Sequence, residues 1–406
     1  MNSRAKIVVV LFSTVLVIFI VIGGLLGKSS RSDGAYRQLA VYSEVVSRIK
    51  SDYVEEPDMK SVTAGALHGL LESLDPFSSY LSPGQYQEYQ KRKSNGRADL
   101  GLVLSKRFGY IAIISVIPGG PAAKASLQSG DIIEALNGVS TRDTSLEEAR
   151  NIMSGQPGTL VNLSVVRYRG GEPQKMAVKR EVVSIPPIAV RMIEPGVGYL
   201  KVDAFTKGKA RELGIRALQL TSAGAKKLLL DLRGAAEGEM GEGIAAANLF
   251  LHHGVITYLQ GQKYPRETFT ADASQGTVKV PVVVLVNRGT AGAAEIVASA
   301  ILENGRGDAV GEKTYGVGSV QRVIPLDDGS ALILSVAKYY TPGGKAIQDS
   351  GVTPNVVVAE ADIEESVSPD EEQGVEPQKE RAPREDPILK RGLEVLKNQA
   401  EKKAAA

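Results

Sequence analysis

Cysteine and tryptophan are both absent from the 406-residue chain. Without a thiol there can be no disulfide, no thiolate nucleophile, no thiolate metal ligand and no lipid-bearing cysteine anchor. Histidine is scarce: only His68, His252 and His253 occur. The His252–His253 pair follows the apolar "AANLFL" with no further ligand nearby. It reads as a solvated turn after a helix rather than a metal site, and no metal or cofactor is expected. An excess of charge of one sign is missing too, since 48 Lys and Arg stand against 46 Asp and Glu. With no basic–aromatic cluster either, nucleic acid is not an expected partner.

What is present is apolar material, 43% of the chain, over a length that suits two or three domains. Arg4 and Lys6 precede "IVVVLFSTVLVIFIVIGGLLG", residues 7–27, which carries no charge. A membrane span needs roughly 20 such residues. The following "GGLLGKSS" matches a small-residue cleavage site poorly. Residues 1–30 are therefore read as a short cytoplasmic tail and an uncleaved signal anchor. Lys28 and Arg31 on the far side weaken the charge bias that orients it. The expectation is a single-pass protein of a cell inner membrane with the bulk of the chain outside the cytoplasm, in the periplasm or extracytoplasmic space.

Along the chain, residues 31–92 are expected to be helical, from the helical spacing of "LAVYSEVVSRIKSDYV" and "VTAGALHGLLESL". Residues 93–182 carry strand and turn signals. "YIAIISVIPGG" predicts a strand and turn, "SGDIIEALNGVS" two short strands between turn pairs, and "PGTLVNLSVVRY" a half-buried strand. "SLEEARNIMSG" predicts a helix with Ser145 and Glu148 as a capping box. Residues 183–358 alternate strands ("GVGYLKVDAF", "KKLLLDLRG", "VPVVVLVN") with helices ("GKARELGIRALQLTSAGA", "GEGIAAANLFL"). That alternation predicts a mostly parallel α/β sheet with its chemistry beyond the C-terminal strand ends. Those ends are "DLRGAAEG" and "NRGTAGAAEI". Residues 359–385 are acid-rich and read as a disordered linker. Residues 386–406 read as a terminal helix docked on the core, with a partner-binding helix as the alternative.

These phrases together resemble the carboxyl-terminal processing, or tail-specific, peptidase family. "DYVEEPD" and "GLLESLDPFSSYL" are similar to its N-terminal helical region, and "SLQSGDIIEALNGVSTRDTSLEEARNIMSGQPGTLVNLSVVR" to its PDZ domain. "LLLDLRG", "EIVASAILENGRGDAVGEKTYG", "GSVQ" and "YYTPGGKAIQDSGVTPN" are similar to its protease core. The resemblance implies an α/β multidomain chain: a crotonase/ClpP-like protease core with an inserted PDZ β-domain, an N-terminal helical region and a transmembrane helix.

The resemblance also implies a serine nucleophile, a neutral lysine as base, a glutamine that orients the lysine, and a Gly-rich oxyanion loop. Each maps onto an altered position. The nucleophile falls at Gly292, within Asn287-Arg288-Gly289-Thr290-Ala291-Gly292-Ala293-Ala294-Glu295-Ile296. The lysine falls at Val317, and Gln321 alone is retained. The family's Asp-Leu-Arg-Gly-Asn-Pro-Gly-Gly loop here runs Asp231 to Leu232, Arg233, Gly234, Ala235, Ala236, Glu237 and Gly238. Gly292 has no side chain, Val317 can accept no proton, and Glu237 would sit beside a developing oxyanion. Losing one member of such a unit removes about 10⁶ in rate in a well-studied serine protease.

The PDZ resemblance implies a peptide site. An extended C-terminus would add as a strand with its carboxylate on backbone N–H groups. The loop for it is "DLGLVL", with Leu100, Gly101 and Leu102, and the opposite wall would be Ala149 and Met153. The alternative is that these apolar residues fill the domain's own core. Two functions follow. One is a membrane-anchored pseudoprotease that captures C-terminal tails of extracytoplasmic proteins or modulates an active relative, through homo-oligomers or hetero-assembly. The other is an active serine-type endopeptidase with a relocated nucleophile, for which Thr290 and Lys313 are the nearest candidates.

Overall fold

A computed structural model describes residues 33–95, 98–168, 170–360 and 386–404, together with Thr14. Apart from Thr14, the proposed anchor at 7–27 lies outside the described residues, as does the acidic segment at 361–385. No helix among the described residues is long and apolar enough to cross a membrane. The chain divides into two compact units, residues 1–66 and 67–406. In the first unit the Asp33–Asp52 helix exposes Leu39, Val41, Tyr42 and Val45.

The all-helical character expected over residues 31–92 is interrupted after the Met59–Glu72 helix, which spans the boundary between the units. Ser79–Leu81 forms a strand, and the Pro83–Asn95 helix runs past the boundary expected at 92. The strand pairs antiparallel with Ala331–Ile333, some 250 positions away, and all three of its residues are buried. Three residues are too few for periodicity to register, and the partner is far off in sequence.

The next part is an antiparallel sheet. Its order is Leu102–Arg107, Tyr110–Val116, Ile132–Leu136, Leu160–Val166, Gln174–Lys179. Alternation drives it: Val161, Leu163 and Val165 are buried while Leu160 and Asn162 are exposed. Asn137 and Gly138, with φ of +50° and +85°, close the turn after Leu136 as a two-residue hairpin requires. The Leu146–Met153 helix starts on Ser145, whose Oγ accepts the Glu148 N–H at 3.2 Å.

The α/β part is a six-stranded sheet. The strands Val356–Val357, Gly307–Gly311, Val282–Val286, Lys227–Asp231 and Val197–Lys201 lie in that order and are parallel. The antiparallel Ala189–Glu194 strand closes the edge. Successive side chains of these buried strands face opposite layers. Leu228, Leu230, Val282 and Val284 pack against helices Lys209–Ser222, Met240–Asn248 and Ala293–Glu303. Leu229, Val283 and Leu285 face the Pro387–Ala404 helix, which buries Ile388 and Leu396 fully. The terminal helix thus docks on the core. A second sheet, built on Ala331–Tyr340 with Ser319–Pro325 and Val255–Gln260, was not foreseen.

Candidate active-site turn and peptide loop

The Val282–Val286 strand ends in the turn 287–292, and the Ala293–Glu303 helix starts directly after it. Gly292 has φ +63° and ψ −124°. This is the strained strand-to-helix geometry that presents a nucleophile in hydrolases, held here by a residue for which it costs little. A Cβ built at Gly292 would come no closer than 3.7 Å, to the Ala236 carbonyl oxygen. The backbone therefore leaves room for a Cβ at this position.

Glu295, which the sequence reading passed over, organises the site. Its carboxylate is fully buried. Oε2 accepts the Gly292 N–H at 2.9 Å and the Val317 N–H at 2.8 Å. Oε1 accepts the Gly316 N–H at 2.8 Å and the Thr314 hydroxyl. One oxygen thus ties Gly292 and Val317 together through their backbone N–H groups. Burial pushes this carboxyl up to about 7, even though the four donors pull it back. Gln321 lies exposed and donates to Ser319 Oγ at 2.8 Å.

Asp231, at the end of its strand, is buried beneath the altered loop. Burial opposes its ionisation, but Lys201 and Arg233 outweigh that and hold it below the usual carboxylate range. Arg233 also bonds Asp386 through Nη1, at 2.9 and 2.8 Å. Gly234 donates to Asn287 Oδ1 at 3.0 Å, and Ala235 accepts the Ala291 N–H at 2.9 Å. The loop and turn are therefore one hydrogen-bonded body. Glu237 and Gly238 pair with Ala204 and Phe205. Gly238 is required there, because a Cβ would lie 2.4 Å from the Phe205 carbonyl oxygen. Glu237 is exposed. Desolvation by the surrounding atoms raises its pKa, Arg150 opposes that shift, and Asp99 adds to it.

Thr290 is fully buried. Its hydroxyl donates to the Leu232 carbonyl at 2.9 Å and accepts the Asn287 N–H at 3.1 Å. Lys313 is exposed. Ser299 lies inside the helix, bonded to the Ile296 carbonyl. The all-β part leans on this turn: Ser115 donates to the Gly234 carbonyl, and Arg288 stacks 4.1 Å from the Tyr168 ring centroid.

Of the residues expected to bind peptide, Leu100, Ala149 and Met153 are buried in the β-domain's own core. Leu102 is partly buried and packs against that core. Gly101, with φ +73°, donates its N–H to Asp99 Oδ1 at 2.7 Å.

Residues 196–358 match peptidase family S41, and residues 113–167 match a PDZ domain. The carboxy-terminal-processing protease of Bartonella bacilliformis is 32% identical over 336 residues, covering 81% of this chain and 77% of that protein. The chain belongs to the carboxyl-terminal processing protease family. CtpA of Bacillus subtilis is 34% identical, over 82% of this chain and 71% of CtpA. The solved photosystem II D1 C-terminal processing protease superposes with a TM-score of 0.67 at 25% identity, covering 79% of this chain and 92% of that one. The α/β part is therefore the family's protease fold, and the antiparallel part its PDZ domain. In family terms, Glu295 is the group that residue-by-residue comparison of the dyad could not reveal. A Glu in a helix's first turn looks ordinary until residues 314–317 are folded onto it.

Proposed function

We propose that this chain is a membrane-anchored pseudoprotease of the carboxyl-terminal processing family. It would bind the C-terminal tails of extracytoplasmic proteins through its PDZ domain, or modulate an active relative. One observation carries the reading: the elbow at residue 292 keeps its backbone pose with no side chain, and Val317 beside it offers no base. The relocated-nucleophile reading loses support because the Thr290 hydroxyl is already committed to Leu232 in a buried site. The anchor rests on the apolar run at 7–27 and places the remainder in the periplasm or extracytoplasmic space. The apolar face exposed on the Asp33–Asp52 helix favours self-association or assembly with an active relative.

The test uses the full chain in detergent and a fluorescent peptide with an apolar C-terminal segment, followed for binding and cleavage together. Binding without cleavage is expected. Cleavage that persists through stringent purification, and disappears in Thr290→Val, would establish the active alternative.

A further inference from the structure

The PDZ loop contains a group that peptide capture does not need. A backbone N–H has a single hydrogen, and that of Gly101 is already given to Asp99 at 2.7 Å. When a PDZ domain takes a free C-terminus, the terminal carboxylate is held by backbone N–H groups of this loop. Here a carboxylate of the chain itself occupies one of those donors.

The surroundings make displacement by a second anion harder. Glu181 brackets Asp99 through two backbone hydrogen bonds, at 3.0 and 3.1 Å, and its own carboxylate pairs with Lys124 at 2.6 Å. From the core, Glu237 lies close enough for Asp99 to raise its pKa. Arg150, which opposes that shift, is paired with Glu147 at 2.6 Å. Val183 closes over Gly101, with methyl carbons 3.4 and 3.5 Å from where its Cβ would stand. An incoming terminal carboxylate thus meets an occupied donor beside the Asp99 carboxylate, with Lys124 and Arg150 already paired to other acids. Like charge placed against one class of ligand is a device for specificity.

We propose that Asp99 is an internal ligand of the PDZ loop, filling the anion position so that the domain takes extended apolar segments without preference for a free C-terminal carboxylate. This rests on the reading that the PDZ domain binds peptide segments. Internal segments, or tails whose terminus projects beyond the loop, then bind as well as free C-termini do.

The experiment compares two fluorescent peptides of one apolar sequence, one ending in a carboxylate and the other in an amide. Each is titrated against the full wild-type chain, Asp99→Ala and Asp99→Asn. The wild type is expected to bind both peptides within about threefold. Asp99→Ala frees a donor for a charged acceptor, so it should gain roughly tenfold or more for the carboxylate peptide and little for the amide. Asp99→Asn, uncharged but still able to accept from Gly101, should fall between them and covers the case in which the alanine variant folds poorly. A wild-type preference for the carboxylate of tenfold or more overturns the inference, as does an equal shift for both peptides in Asp99→Ala. Either result leaves peptide binding itself intact. Absence of binding by all three proteins removes the peptide-binding reading and the inference together.

Discussion

At residue 292 the protease core carries a glycine in a strand-to-helix turn whose backbone leaves room for a Cβ. At residue 101 the PDZ domain has kept its loop, but a neighbouring carboxylate occupies its donor. The two regions differ in how function and scaffold are joined. In the core the pose of the turn is enforced from below, by Glu295 and by the Asn287 carboxamide that receives Gly234 and Gly289. The geometry therefore rests on backbone N–H groups and not on the side chains at 292 and 317. In the PDZ domain the side chains that would line a groove are themselves the core. Ala149 and Met153 are almost wholly buried, so site and scaffold cannot vary independently.

The largest effect that would break this comparison comes from Glu295→Gln. Each carboxylate oxygen accepts two donors, so an amide NH₂ at either place would face two hydrogens. The loss should be roughly 3–5 kcal/mol by urea denaturation. A near-neutral result would mean that the turn does not depend on this carboxylate.

Acidity probes the same group. Its pKa stands at about 7 in the folded chain against 4.5 for an unperturbed glutamate, so folding takes up a proton between those values. Stability should fall as pH rises from 4.5 to 7, by about 3 kcal/mol from this group, and level off above. The slope should shrink in the glutamine variant.

On the PDZ side, Met153→Ala should cost about 2–4 kcal/mol through cavity formation. A loss of peptide binding without loss of stability would instead make Met153 a groove residue. The smallest effect is that of Gly292→Ser. Space exists for its Cβ, so the cost should be only the backbone strain, roughly 1–2 kcal/mol, seen as a lower thermal midpoint. A larger cost would show that the elbow no longer accepts a side chain.

Much of this was legible from residue patterns. The alternation at 160–166 and the unbroken apolar runs at 228–230 and 282–286 report local spacing, which a sequence displays directly. The second sheet was not legible, because the Ala331–Tyr340 strand finds partners at 79–81 and 258–260, and such pairings leave no local trace. Positions 292 and 317 could be located from the motifs around them. The group that joins them could not, because Glu295 gains its role only when three donors from residues 314–317 fold onto it beside the Gly292 N–H. Asp99 was overlooked for a similar reason: the loop was read for its Gly and Leu, while its acid acts on a backbone hydrogen two residues on.

The docked terminal helix bears on how the chain is made. Leu229, Val283 and Leu285 are covered by Ile388 and Leu396. A ribosome emits those covering residues about a hundred positions after the strand that carries Val283 and Leu285. Until then one whole face of the central sheet is wet and adhesive. A nascent chain in that interval is a candidate for chaperone engagement, and Arg233 waits for Asp386 as the contact that marks completion.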